Sequence, residues 1–225
     1  MNNNINDLFN LIAEEFSANK NENKAIEMAA YMKNNFLFFG IPSPLRKEIQ
    51  KKYYKNFILN KDEFLSFVQK GYSFPQRELH YFTIDFLAKQ KNILCDNQLD
   101  FFEFLIKTNS WWDSVDTICS KIISPFLLKN ENEKKTWIKK WSKDENLWLR
   151  RISIIAQLKM KEETYLDLLK LAIESNLNSK EFFIDKSIGW ALREYAKTNK
   201  EWVLDYVSKT SLSNLSKREA LKHFI

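Results

Sequence analysis

The sequence predicts an all-α fold, a curved solenoid of antiparallel helix pairs. Three observations carry this expectation. Glycine and proline are scarce, 3 and 4 in 225 residues. Apolar residues recur with helical periodicity from one end to the other, and no alternation of the strand kind persists. The segments between the periodic stretches are short and polar, which makes consecutive helices antiparallel. Each pair is too thin to bury its own apolar face, so pairs must stack on one another. A compact helical bundle satisfies the same observations and stands as the rival arrangement.

Taken in order, the first periodic stretches are 4–18 and 22–34, closed by GIPSP at 40–44. Then come 43–56 and 61–71, closed by GYSFP at 71–75, where glycine and proline interrupt the helical ladder. The stretches 75–89 and 97–108 lead to 111–124, which Pro125 is expected to stop. Stretch 131–142 ends in the polar turn SKDEN at 142–146, and 146–160 and 163–176 end in SNLNS at 175–179. The last are 180–197, 199–208 and 215–223. A chain of this length builds one elongated array more readily than two independent cores, so a single helical-repeat domain over 1–225 is expected.

Composition narrows the function. With 44% hydrophobic and 28% charged residues, the chain has both a core and a solvated surface. No apolar run approaches the roughly 20 residues of a membrane span, and residues 1–10 lack a basic segment followed by an apolar one. A cytoplasmic protein without a membrane partner is expected. Cys95, Cys119, His80 and His223 form no spaced ligand set, so no metal is expected. Gly40, Gly71 and Gly189 cannot build a phosphate-cradling loop, so no nucleotide cofactor is expected either. Of the 35 Lys+Arg and 29 Asp+Glu, residues 111–225 hold 21 and 16, and this half therefore carries +5 of the net +6. That asymmetry points to an anionic partner.

Three helices of that half have unusual polar faces. On a wheel at about 100° per residue, Trp111, Val115, Ile118 and Ile122 form the buried stripe of NSWWDSVDTICSK. Asp113 falls outside it. Asp116 lies on its flank, on the same side as Trp112 one turn earlier. In KEFFIDKSIGWALREYAKTNK the stripe is Ile184, Ile188, Ala191, Leu192 and Tyr195, and Trp190 points nearly opposite, among Lys186, Arg193 and Lys197. An aromatic plate ringed by cations suits nucleic acid. In NLWLRRISIIAQLK the stripe is Trp148, Ile152, Ile155 and Ala156, with Arg150 and Gln157 on the polar side. Arg151 falls between Ile155 and Leu158, inside an apolar arc, where it needs a phosphate or Asp116 as partner. Each helix also has a plainer reading: Asp116 as a first-turn acid, Trp190 as packing under a neighbouring helix, Arg151 as snorkelling to water.

These segments resemble a known family. SWWDSVD (110–116), NLWLRR (146–151), KEFFIDKSIGWALREYAKTN (180–199) and SKREALKH (216–223) are similar to signature segments of the bacterial DNA alkylation repair glycosylases of the AlkD type, built from HEAT-like repeats. The similarity reaches MAAYMKNNFLFFGI (28–41) and so covers essentially the whole chain. The resemblance implies a base-excision enzyme that releases positively charged 3-methyl and 7-methyl purines from duplex DNA without flipping the lesion into a pocket. It implies Asp116 as the catalytic carboxylate and Trp112 and Trp190 as the aromatic pair at the lesion. Arg151, Arg193, Lys197 and Lys186 would hold the backbone, with Tyr31 as an N-terminal contact. It further implies a bacterial, nucleoid-accessible monomer that needs no cofactor. Where the family has a threonine near its N-terminal turn, this chain has Ser43 after Pro42. Relatives of such folds also bind DNA or protein without excising bases, and a non-catalytic helical-repeat module is the alternative.

Overall fold

Side-chain caps and apolar stripes decide where the helices begin and which way they face. The computed structural model describes residues 4–90 and 98–222. Among them no strand forms, and the only extended pairing is an isolated bridge between Leu37 and Gln76. The fold is all-α and of the helical-repeat kind, and the chain divides into two compact units, Met1–Cys95 and Asp96–Ile225.

In the first unit, Asn4 caps α1 (Ile5–Ala18) and Asn21 caps α2 (Glu22–Tyr31), each side chain accepting an orphan amide of the first turn. The stretch expected to be helical to residue 34 stops at Tyr31, because Lys33 and Asn34 both take φ 57° and reverse the chain. Gly40, at φ 85°, follows, and an added Cβ would lie 2.0 Å from the Asn21 carbonyl oxygen. Stretch 43–56 is two helices, α3 (Ser43–Gln50) and α4 (Tyr53–Asn56). A 3₁₀ turn (Lys61–Glu63), α5 (Phe64–Tyr72) and α6 (Arg77–Lys89) complete the unit.

Its core is aromatic: Phe67 packs on Phe9 and Phe86 with ring centroids 4.9 and 4.8 Å apart. Asp85 of α6 binds Arg46 and Gln50 of α3 at 3.0 and 2.9 Å. Fully buried Glu78 accepts the amides of Phe39, Gly40 and Ile41 at 3.0, 2.9 and 3.1 Å, fixing the turn that leads into α3. Burial pushes the Glu78 carboxyl up, and the three amides oppose that shift.

The second unit runs α7 (Leu99–Lys107), α8 (Trp112–Ile118), a π turn (Cys119–Ile123), α9 (Ser124–Lys129), α10 (Glu131–Trp141) and α11 (Leu147–Ile155). A 3₁₀ turn (Lys161–Glu163) leads to α12 (Leu166–Glu174), α13 (Phe182–Tyr195), α14 (Lys200–Lys209) and α15 (Asn214–Leu221). Pro125 does not stop the helix that begins at Trp112. It has no N–H to return to Lys121, and the chain widens instead into the π turn, where the Ser124 N–H reaches the Cys119 carbonyl. Helical structure resumes as α9.

Packing here also follows the stripes. Val115, Ile118 and Ile122 are buried, as are Trp148, Ile152, Ile155 and Ala156 of α11 and Ile184, Ile188, Ala191 and Leu192 of α13. Trp137 stacks on Phe126 at 5.2 Å, and buried Trp141 donates its Nε1–H to Glu103 at 3.0 Å. Helices α13 and α15 approach closely at Gly189, where a Cβ would lie 2.4 Å from Glu219 Cβ and 2.8 Å from the Ser216 carbonyl oxygen. The Ser216 hydroxyl donates to the Asp185 carbonyl at 2.8 Å across the same junction.

Candidate functional site

Helices α8, α11 and α13 converge on one cleft of about 530 Å³ in the second unit. Helix α8 contributes Trp112, Asp113 and Asp116, and α13 contributes Trp190. Pro125, Leu128, Ile155, Leu158 and Met160 form the apolar wall. Trp111, in extended backbone just before α8, packs against Trp148 and Phe183 at 5.8 and 5.2 Å. This aromatic cluster joins the starts of the three helices and so fixes the positions of the residues one turn further on.

Arg151 reaches Asp116 from α11. Its Nε donates to Oδ1 and its Nη2 to Oδ2, both at 2.8 Å, while Nη1 donates to the Phe183 carbonyl at 2.6 Å. The Arg151 side chain is 5% exposed and that of Asp116 19%. The arginine is interior, and the carboxylate keeps an edge toward the cleft. Three of the five N–H donors of Arg151 are used inside the protein, and of the two partners its position in the apolar arc required, it takes Asp116. Such a fork restricts a carboxylate to one orientation.

Trp112, Asp116 and Trp190 thus line one cleft. The cations placed around Trp190 do not. Arg193 turns to α15, donating to the Glu219 carbonyl and carboxylate at 2.9 and 2.7 Å, and this bond holds the Glu219 carboxyl below the usual range. Exposed Lys197 pairs with Glu194 at 2.6 Å, and exposed Lys186 lies 5.4 Å from the Phe182 ring centre. Tyr31 is in the first unit, at the end of α2, and is 70% exposed.

Two residues, one beside the cleft and one lining it, have roles the sequence does not show. Gln157, placed with Arg150 on a polar face, is 4% exposed, because α11 ends at Ile155 and the wheel no longer applies. Cys119 lines the cleft from the π turn with its thiol buried, and burial pushes that thiol up to about 12. His80, in the first unit, is buried with Nε2 2.8 Å from the Phe74 carbonyl oxygen, whereas Cys95 and His223 lie outside the described residues. No group of three metal-binding side chains occurs among the described residues, and none of their helices is long and apolar enough to cross a membrane.

What the arrangement can do chemically follows from its parts: an anion fixed at the edge of a cleft, with indole faces beside it, stabilises positive charge on whatever sits there. Comparison with known proteins places the chain among DNA alkylation repair enzymes. No curated protein matches the chain. A protein of Enterococcus faecalis, described as a predicted DNA alkylation repair enzyme, has the same fold with a TM-score of 0.85 and 34% identity, over 91% of this chain and 96% of that one. Residues 12–224 match the family model described as DNA alkylation repair enzyme. The chain therefore belongs to the DNA alkylation repair enzyme family.

Proposed function

We propose that this protein is a monofunctional DNA glycosylase that excises N3- and N7-alkylated purines, 3-methyladenine and 7-methylguanine among them, from duplex DNA. The single observation that carries the reading is the Asp116 carboxylate, held by the Arg151 fork at the edge of a cleft lined by Trp112 and Trp190. Membership of a DNA alkylation repair family supports DNA as the substrate.

Alkylation at N3 or N7 leaves the purine positively charged. When the bond from its nitrogen to the sugar C1′ breaks, the electron pair goes to the base, which departs neutral and needs no proton from an acid. Positive charge develops on the deoxyribose instead, as at the centre of a glycosidase reaction. Asp116 stabilises that charge and orients a water; the water oxygen bonds to C1′ and its proton passes to solvent, leaving an abasic site. Trp112 and Trp190 add cation–π stabilisation, about 0.5–2 kcal/mol each. Since the carboxylate and the indoles act on the sugar, the base need not be flipped into a pocket, which sets this mechanism apart from the usual logic of base chemistry. Arg151, Arg193, Lys197, Lys186 and Tyr31 are assigned to the DNA backbone, and the chain acts as a monomer without metal or organic cofactor.

A second reading has one observation in its favour. Both Asp116 oxygens already accept from a buried arginine, as in a purely structural ion pair. On that reading the protein recognises distorted DNA and excises nothing. Incubation of the purified protein with methylated duplex, chelator present throughout, separates the two. Free 3-methyladenine and 7-methylguanine from the native chain, and far less from Asp116→Asn, is expected; retained binding to an abasic duplex with no base released overturns the glycosylase reading.

A further inference from the structure

Between α11 and α12 the chain forms a loop that the chemistry above leaves unused. Gln157 closes its base: Nε2 donates to the Tyr165 carbonyl at 3.2 Å and Oε1 accepts the Tyr165 N–H at 2.8 Å. A buried side-chain amide thus pairs with backbone across residues 158–164 as a neighbouring strand would. Within the loop Lys159 and Lys161 take φ 67° and 52°. L side chains disfavour this left-handed backbone, and it persists where the surroundings impose it.

The loop stands as a wall between two cavities. On one side is the cleft that contains Asp116. On the other is a pocket of about 330 Å³ whose lining includes Gln157, Lys161, Thr164, Tyr195 and Lys197. Leu158 and Lys159 line both. Lys159 is exposed, and among the described residues no carboxylate lies within ion-pairing distance of it. Arg151, Arg193 and Lys197, by contrast, each have an acidic partner in the protein. A cation at the lip of a cleft, unneutralised and carried by a clamped and strained loop, is placed for an anion outside the chain.

We propose that the Gln157-clamped loop is a phosphate grip, which holds Lys159 against the phosphodiester flanking the nucleotide that reacts at Asp116. Lys159 is then a DNA-contact residue and Gln157 its positioning residue. The inference rests on the glycosylase reading: a deoxyribose in front of Asp116 carries a phosphodiester on either side, and Lys159 stands on the lip of that same cleft. Fixing the loop beforehand reduces the freedom lost when the lysine engages.

The test is the affinity of the full chain for an unmodified duplex as a function of KCl, alongside base release from methylated duplex. For Lys159→Ala the slope of log affinity against log salt is expected to fall by about 0.9, as when the protein neutralises one phosphate fewer. In base release its KM rises several-fold, with kcat within about twofold of native, as for weakened ground-state binding. Gln157→Leu weakens binding in the same direction, and the double variant binds no more weakly than Lys159→Ala alone. Lys209→Ala, on α14 and paired with Asp205, serves as the control and leaves the slope unchanged. If Gln157→Leu does not fold, Gln157→Glu replaces it, keeping the acceptor for Tyr165 and losing the donor. A native slope in Lys159→Ala overturns the grip, and additive losses in the double variant overturn the positioning role of Gln157. Salt-dependent binding by a native chain that releases no base sinks the glycosylase reading and, with it, the reacting nucleotide on which the grip depends, while a normal Lys159→Ala slope with base release intact sinks the grip alone.

Discussion

Asp116 and Arg151, 35 positions apart in sequence, meet in a two-pronged pair with both oxygens of the carboxylate engaged at 2.8 Å. This pair ties chemistry to stability. An asparagine at 116 offers one acceptor to two donors and leaves a buried guanidinium without its counter-charge. Asp116→Asn is therefore expected to reduce base release by about 10²–10³-fold and, separately, to lower stability by roughly 1–3 kcal/mol. Single-turnover release below the unfolding midpoint, together with a denaturant titration, reads the two effects apart. A native rate with a lowered midpoint would assign the pair to the fold alone.

Trp112 and Trp190 are expected to act on rate through their faces. Replacing either by alanine should slow release by roughly 2- to 30-fold, the equivalent of about 0.5–2 kcal/mol. Phenylalanine should retain part of that. Saturating single-turnover kinetics checks this, since a change confined to KM would make the indoles binding surfaces only.

Gly189 is the residue through which α13 accepts α15. Gly189→Ala brings a methyl into contact with the backbone at Ser216 and with Glu219, and should lower stability by about 1–3 kcal/mol. The displaced Glu219 also loosens its bond to Arg193. A urea midpoint equal to native would show that α15 shifts without penalty.

The Cys119 thiol should resist modification. In the unfolded chain it ionises near 9.0, whereas burial, reinforced by the charge of Asp116, delays ionisation in the fold to about 12. Its contribution to stability is complete below 9.0 and is lost as pH rises through the interval, because the unfolded chain sheds a proton that the native state keeps. Ellman's reagent at about pH 8, below the ordinary thiol pKa, should leave Cys119 unreacted in native protein; reaction as fast as in urea would contradict its burial.

In the first unit, Glu78→Gln places an NH₂ group among three amides that all require an acceptor. A loss of about 1–3 kcal/mol is expected. A thermal melt compared with native checks it.

Most of the helical architecture was legible because apolar periodicity is a one-dimensional signal, and the stripes of α8, α11 and α13 are buried as the wheels place them except at their ends, where Trp111 and Tyr195 are only half-buried. Trp190 was legible for the same reason, by its position off the stripe. Other features depend on hydrogen bonds that a wheel does not contain. Pro125 reads as a stop, yet the chain answers a missing N–H by widening one turn. Gln157 reads as polar surface, but it follows the last residue of α11 and turns inward to Tyr165. The partner of Arg151 was legible only as a choice between two, and the diversion of Arg193 to Glu219 not at all, since that bond spans 26 positions and closes only when α15 docks.

The π turn has a consequence for insertions and deletions. A π turn places one more residue in a helical turn than the α-helix does, and each residue advances the helix by about 100°. Deleting Ser120 or Lys121, both solvent-exposed, should convert the segment to continuous α-helix and rotate α9 relative to α8 by that angle. Either the core residues of α9 or Asp116 must then leave its place. Codon-sized indels between 119 and 123 should therefore inactivate the protein, even though substitutions at the same exposed positions are tolerated, a contrast that a deletion scan across 112–129 would display as a narrow trough.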